Sequence, residues 1–547
     1  MMVNANWTRV INQLEPEDWH AILGDAYETL RVLSGGKSIC EWASCNFTEA
    51  YPPYQILSND NNRKIIIGKL KASDAQIIAT TAGLKKTGTE SVYDVLRNAK
   101  FKRNSPLEKA LLSYFEVEPP IKNVRVARPG EIKIDSIEYG LYDYQIQVIR
   151  KAQEIFSNGS RRLMIQMPTG SGKTRTSMYM IANEMNNHEK YTVMWLAYSR
   201  ELCDQASYEF EKCWKKHGVR PVSLLNAYED GETIPDMEID GIVIITLQKL
   251  LRICEDDPMK LGNFSKYLDC LIFDEAHQAV ADHYKMAVEM ILNSDSKRIK
   301  FIGLTATPGR TWNDPEEDQK LSDFFRRNIV SIPFDGWNSP NEMLTQRGFL
   351  SKIDWRPCEY GELNLSTNEL ELIRVLREED DLPQSVIKKL SLDTKRNVRI
   401  VKAVDELLSE GRKRILVFCP SIENARLLCV SLGQIASKYG GYVSELDGST
   451  ESGLRDEIIR KFRDESDEPR IICNFNLLTT GFDAPNTDAG IIARPTKSLV
   501  LFSQMVGRMI RGPNTKGGTE TATIVSVVDI SLPGFKDSFD NWEDVWE

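Results

Sequence analysis

Three strings in the chain have residue types and spacings suited to the chemistry of a phosphate anhydride. The first is Pro168-Thr169-Gly170-Ser171-Gly172-Lys173-Thr174, between the apolar run Leu163-Met164-Ile165 and a helical-looking segment, Arg175 to Met185. In that setting the glycines let successive backbone N–H groups turn toward a phosphate, and the helix start adds partial positive charge. Lys173 would reach the β- and γ-phosphates of a nucleotide, and the Thr174 hydroxyl would ligate Mg2+. The strict form of such a loop has glycine where Met167 stands. A glycine-rich surface turn is the plain alternative, but a Thr-Gly-any-Gly-Lys-Ser/Thr string arises by chance in this length of chain only about once in a thousand.

The second string, Asp274-Glu275-Ala276-His277, closes the apolar run Leu271-Ile272-Phe273. Carboxylates at the C-terminal end of a buried strand lie at the edge where open α/β sheets bind ligands. Asp274 would hold the Mg2+ shell, and Glu275 would orient and deprotonate an attacking water. The third string runs from Ser503 to Arg511 and contains Gln504, Arg508 and Arg511. Its arginines are three apart, which predicts that they share one face of a helix. An always-charged planar guanidinium suits the spread charge of a phosphoryl-transfer transition state.

These strings need sheets to position them. Leu163 to Ile165, Thr192 to Leu196, Ile242 to Ile245, Leu268 to Phe273 and Phe301 to Leu304 read as strands buried on both faces, as in parallel sheets flanked by helices. The pattern returns in Ile415 to Phe418, Arg470 to Cys473 and Gly490 to Ile492. The expected organisation is an α/β protein: a mostly helical N-terminal domain over 1–130, a first lobe over 131–335, a connector over 336–394 and a second lobe over 395–547. One N-terminal helix is marked by Ser105-Pro106-Leu107-Glu108, a cap, an N1 proline and a capping-box Glu. The acidic run Glu378 to Asp381 in the connector reads as a solvated surface.

Composition narrows the class. Hydrophobic residues are 41% and charged residues 27% of 547, enough for ordinary cores. No run of about 18 apolar residues would span a membrane, and the first residues do not read as a secretory signal. Net charge is −10, which argues against an indiscriminate polyanion-binding surface but not against a locally basic groove. The ten cysteines, of which Cys40 and Cys45 are the closest pair, read as structural thiols in a reducing compartment rather than a zinc site.

In this order the strings resemble the motifs of superfamily 2 DEAD/DEAH-box helicases. Gly170 to Thr174 is similar to motif I, which tolerates a non-glycine at the position of Met167. Asp274 to His277 is similar to motif II in its DEAH form. Thr305-Ala306-Thr307-Pro308 resembles motif III, whose hydroxyls link ATP hydrolysis to lobe movement. Ser503 to Arg511 resembles motif VI, whose arginines come from the second lobe and meet ATP when the cleft closes. Leu478 to Pro485 resembles motif V, which implies roles for Gly481 and Asp483 at the nucleotide and for Thr479 and Thr480 at a nucleic-acid strand. Leu141-Tyr142-Asp143-Tyr144-Gln145 resembles an adenine-recognising segment, with Gln145 as the base reader and Tyr142 and Asp143 replacing its usual Arg and Pro.

The resemblance implies two tandem RecA-like lobes, ATP and Mg2+ as cofactors, and a strand held through its phosphates. Ser199 and Arg200 resemble motif Ia, and Thr246 and Gln248 motif Ic. Ser421, Ser449 and Thr450 occupy equivalent loops of the second lobe. It is nearest to the XPB-like and UvsW-like branch and to the motor subunits of type I and type III restriction enzymes, with which Arg494-Pro495-Thr496-Lys497-Ser498 is also associated. Such relatives imply ATP-driven movement on, or remodelling of, double-stranded or branched DNA. Two other readings stay open: an RNA helicase, and an ATP-gated nucleic-acid sensor or assembly subunit that contacts a partner through residues 1–130. No nuclease constellation is evident, so cutting would come from another chain. A prokaryotic or phage cytoplasm is the expected location.

Overall fold

The computed structural model describes residues 5–24, 26–33, 53–84, 90–102, 104–117, 130–131, 139–229, 231–279, 281–293, 299–306, 315–376, 381–448, 450, 452–475, 484, 486–515 and 517–536. Cys40, Cys45, Thr307, Pro308, Glu378, Glu379, Asp380, Ser449, Thr479, Thr480, Gly481 and Asp483 lie outside them.

The apolar runs form strands because Val, Ile and Leu on both faces must be covered by helices on both sides. The first sheet contains β1 (Gly130–Glu131), β2 (Arg162–Gln166), β3 (Thr192–Ala197), β4 (Ser223–Asn226), β5 (Gly241–Thr246), β6 (Cys270–Asp274), β7 (Lys300–Thr305) and β8 (Ile329–Ser331). Their order is β1-β4-β5-β3-β6-β7-β2-β8. Only the two-residue β1 is antiparallel to its neighbour. β7 therefore separates β2 from β6, and the loops after β2 and β6 leave the same edge of the sheet.

The second sheet contains β9 (Lys352–Tyr360), β10 (Arg414–Phe418), β11 (Tyr442–Leu446), β12 (Arg470–Asn474), β13 (Ala489–Ile492) and β14 (Thr521–Asp529). Its order is β11-β12-β10-β13-β14-β9, all parallel. The stretch 336–394, expected as a connector, thus contributes β9, which pairs with β14 over nine residues. As an edge strand it carries Lys, Asp, Arg and Glu between its apolar residues, and it accommodates Pro357. It has no continuous apolar run to mark it.

The described N-terminal residues are helical and have their own core, with Trp7, Trp19, Ile67, Leu111 and Phe115 buried together. The helix Pro106–Phe115 starts as expected, with Ser105 Oγ accepting from Glu108 N at 3.2 Å. The Glu108 carboxylate does not close the box. It takes the Asn104 N–H and the Tyr54 hydroxyl instead. The helix Ala26–Leu33 leaves this core, burying Ala26 and Leu30 among Ile400, Val404 and Leu428 of the second lobe. Between the lobes one apolar cluster is continuous through Leu344, Phe349, Leu350, Met505 and Ile510. Among the described residues no helix is long and apolar enough to cross a membrane.

Candidate nucleotide site between the two lobes

The loop after β2 begins with a fully buried residue. Met167 is 0% exposed, its N–H donating to Thr305 O at the end of β7 (3.0 Å). A side chain that fills the core leaves no need for glycine there. The turn follows, with Gly170 at φ +95° and Gly172 at φ +83°, backbone that L side chains rarely adopt. Ser171 fixes the loop: its Oγ donates to Pro168 O at 2.7 Å, and its own carbonyl accepts from the Tyr144 hydroxyl at 2.9 Å and Gln145 Nε2 at 3.0 Å. Gly172 is the N-cap of the helix Lys173–Asn186, which puts Thr174 on the first turn. Thr169 Oγ1 is buried with no hydrogen-bond partner in the protein.

Across β7, Asp274 ends β6 and both it and Glu275 are buried. Glu275 has left-handed backbone (φ 56°, ψ 57°), a strain of about 1–3 kcal/mol for a residue other than glycine. Its N–H donates to Asp274 Oδ1 at 3.1 Å. Lys173 Nζ stands 3.4 Å from Glu275 Oε1 and 3.9 Å from Asp274 Oδ1, and His277 Nδ1 is 3.5 Å from Glu275 Oε2. Burial pushes the Asp274 carboxyl up to about 6 against the pull of Lys173. Burial also acts to raise Glu275, but the charges of Lys173, His277 and Arg508 outweigh it and hold this carboxyl below its ordinary value. Hard oxygen donors on Thr174 and Asp274 fit Mg2+, which takes few protein ligands beside nucleotide phosphates. Among the described residues no group of three or more His, Cys, Asp or Glu side chains is arranged to hold a metal alone.

The second lobe reaches this loop. The helix Leu499–Gly507 contains Gln504, which is buried, and ends one residue before Arg508. The expected shared helix face is therefore wrong for Arg508 and Arg511. The chain tightens through Arg508 N to Met505 O and Met509 N to Val506 O, then turns extended so that Arg511 bridges to Leu350. Ser351 holds that segment, its N–H donating to Ile510 O at 3.0 Å and its Oγ to Arg511 O at 2.7 Å. The outcome is the one a helix would have served. A Cβ at Gly170 would collide with the Arg511 guanidinium, and a Cβ at Gly507 with the Thr169 side chain. Arg508 is close enough to lower both carboxyls of the acidic pair.

A second set of contacts ties the lobes beside this loop and had no local signal in the sequence. Arg347 Nη2 pairs with Asp143 Oδ1 at 2.9 Å, Asn514 Nδ2 donates to Arg347 O at 2.7 Å, and the Tyr142 hydroxyl donates to Asn514 O at 3.1 Å. Arg347 and Asp143 are 204 residues apart. Arg175, directly after the loop lysine and threonine, donates to Gly140 O at 2.7 Å and lies over the Tyr139 ring.

Of the residues expected at a nucleic-acid strand, the described ones lie at the ends of strands or the starts of the helices that follow. Ser199 and Thr246 are N-caps after the adjacent strands β3 and β5, each hydroxyl accepting a backbone N–H of its own helix. Arg200 and Gln248 are exposed. Ser421 caps the helix Ile422–Lys438 and is buried, its Oγ 2.9 Å from Ser391 Oγ. Thr450 Oγ1 accepts from Asp447 N at 3.0 Å. These hydroxyls shape the loops, leaving backbone N–H groups at helix starts and the exposed Arg200 and Gln248 as groups able to meet phosphates.

Two sheets with a phosphate-type loop and a carboxylate pair on one side and arginines on the other define a two-lobed site of the nucleotide-binding kind. Residues 138–310 match the family described as type III restriction enzyme, res subunit, and residues 399–513 match the helicase conserved C-terminal domain. The IRC3 helicase of Saccharomyces cerevisiae is 25% identical over 69% of this chain and 50% of its own length. The type I restriction enzyme EcoAI endonuclease subunit of Escherichia coli is 25% identical over 67% of this chain and 44% of its own. A structure of the DUF1998 helicase MrfA bound to DNA covers 73% of this chain and 51% of that one, with TM-score 0.51 and 15% identity, a likeness of fold. The chain belongs to helicase superfamily 2 and is related to the motor subunits of restriction enzymes. It spans about half or less of the length of these curated relatives.

Proposed function

We propose that the chain hydrolyses ATP in the cleft between its lobes and uses the cycle to move along, or remodel, double-stranded or branched DNA. The observation that carries this is the contact of second-lobe Arg511 with Gly170 of the phosphate loop, beside Lys173 and Glu275. The Lys173 ammonium and the loop's backbone N–H groups up to Thr174, apart from that of Ser171, which donates to Pro168 O, would bind the phosphates. Thr174 and Asp274 would hold Mg2+, which would neutralise phosphate charge. As Lys173 turns from the carboxylates to the phosphates, Glu275 loses its closest positive partner and becomes a stronger base toward the attacking water. His277 Nδ1 stands 3.5 Å from the second oxygen of Glu275. Arg508 and Arg511 meet the charge that develops on the transferred phosphoryl group, and Gln504 lines the same side. Gly481 and Asp483, with Thr479 and Thr480, would connect this site to the strand.

DNA is favoured over RNA because the relatives include restriction-enzyme subunits and proteins named as DNA helicases. A bacterial or phage setting agrees with relatives from Escherichia coli and a Lactococcus phage. Residues 1–130 serve as an accessory domain able to take a protein partner. The test is ATP turnover with no nucleic acid, duplex DNA and RNA, run beside displacement of a triplex-forming strand. Duplex DNA should raise turnover severalfold and RNA less, with displacement dependent on ATP. Stimulation by RNA alone would move the reading to an RNA helicase, and turnover without displacement to a sensor.

A further inference from the structure

The edge of the first sheet carries aromatic rings that the nucleotide chemistry does not use. Tyr198 follows Ala197, the last residue of β3, and is 43% exposed. On one side β3 pairs with β6, and the helix after β6, Asp282–Leu292, has Tyr284 on its first turn. Tyr284 is half-buried, its ring packed on the core of the first lobe and 4.2 Å from the ring of the exposed His283. Tyr198 is close enough to add to the effect of burial in raising the Tyr284 phenol above its ordinary value. One exposed ring thus stands beside a second that the core holds still. A positive charge lies two residues beyond Tyr198. Arg200 is exposed, and its guanidinium sits 5.9 Å above the ring of Tyr228, whose hydroxyl donates to Asp204 Oδ1 at 2.7 Å.

An aromatic face beside a cation suits a nucleotide whose base is free to stack, because every base has a π-face. Bases inside an intact duplex already stack on one another, so a ring at the surface reaches only an unpaired one. The geometry points to a subsite for an unpaired base of the DNA strand, stacked by Tyr198 beside the fixed ring of Tyr284 while Arg200 takes the adjoining phosphate. This rests on the DNA-motor reading above and narrows its substrate to DNA that offers unpaired nucleotides, as a branch point or a gap does. Two observations favour nucleic acid over an apolar peptide as the occupant. The rings adjoin a guanidinium on a chain whose net charge is −10, and on its other side β3 pairs Ala197 with Thr246, a residue expected at the strand.

The experiment measures the affinity of the full chain, by fluorescence anisotropy, for an oligo(dT) long enough to span both lobes, an abasic strand of the same length and a blunt duplex. Tyr198→Ala, Tyr198→Phe and Arg200→Ala are compared with wild type, and melting temperatures serve as a folding control. Wild type should bind oligo(dT) about 5–150-fold more tightly than the abasic strand, the range that stacking on one base gives. Tyr198→Ala should abolish that difference, Tyr198→Phe should keep most of it, and neither should alter affinity for the blunt duplex. Arg200→Ala should weaken oligo(dT) and the abasic strand alike and make binding less sensitive to salt, as loss of a phosphate contact does. Equal wild-type affinity for oligo(dT) and the abasic strand, or a Tyr198→Ala variant that keeps the difference, overturns the inference. ATP turnover stimulated by DNA would then leave the motor reading standing. No binding to any of the three DNAs overturns both.

Discussion

Gly170 of the first lobe and Arg511 of the second lie so close that a Cβ on the glycine would strike the guanidinium. Such an approach tolerates only glycine on one side, and it puts a permanent positive charge from one lobe on the phosphate loop of the other. Around it, Leu350, Ser351 and Gly507 fix the approach by packing and hydrogen bonds, beside the Arg347–Asp143 ion pair.

Gly507 offers a clean test of that approach. It closes the helix Leu499–Gly507 with no left-handed backbone, so alanine suits its conformation, yet a Cβ there meets Thr169. Gly507→Ala gains about 1 kcal/mol in helix propensity but must push Thr169 aside at about 1–3 kcal/mol, so the melting temperature should stay level or fall by a few degrees. ATP turnover should nevertheless fall by about a hundredfold, the cost of a displacement near 1 Å at reacting groups. Calorimetry and a phosphate-release assay on one preparation measure both.

A buried ion pair anchors the back of the second lobe. Arg396 and Asp529 are sealed from solvent, with Arg396 Nε 2.8 Å from Asp529 Oδ1 and Nη2 donating to Ala493 O at 2.6 Å. Asp529→Ala leaves an uncompensated guanidinium and should cost about 3–5 kcal/mol. Replacing both residues together with Met and Leu should recover most of that loss. Denaturant unfolding of the three proteins compares them.

Glu445 sets a pH dependence. Burial, with help from Asp447, pushes its carboxyl up to about 7 despite Arg426 at 3.0 Å. A raised carboxyl favours the protonated fold, so its stabilising effect is full below the unfolded value near 4.5 and is lost as pH rises through 7. Between pH 5 and pH 8 the Glu445→Gln variant should therefore lose less melting temperature than wild type, by several degrees. Equal slopes would show that Glu445 is not the titrating group.

Much of this was legible in the sequence, for identifiable reasons. Continuous apolar runs announced the central strands, and the spacing of Gly170, Gly172, Lys173, Asp274 and Glu275 announced the loop and carboxylates that the fold brings within 3.4–3.9 Å at Lys173. The edge strand β9 stayed hidden because one solvated side gives it the look of a polar linker. Spacing alone predicts a shared helix face for Arg508 and Arg511, whereas the helix ends at Gly507 and the bridge of Arg511 to Leu350 sets its position. Ser421 shows what spacing leaves out: its hydroxyl caps a helix and meets Ser391, a residue 30 positions away in sequence.

The most direct measurement is hydrolysis and ATP affinity of Arg511→Ala beside wild type, both saturated with duplex DNA. An arginine that acts on the transition state should cost about 10³–10⁵ in turnover, while ATP dissociation constants, measured by fluorescence or calorimetry, stay close to wild type. Turnover equal to wild type, or loss of ATP binding in step with loss of turnover, would contradict catalysis by a second-lobe arginine across the cleft.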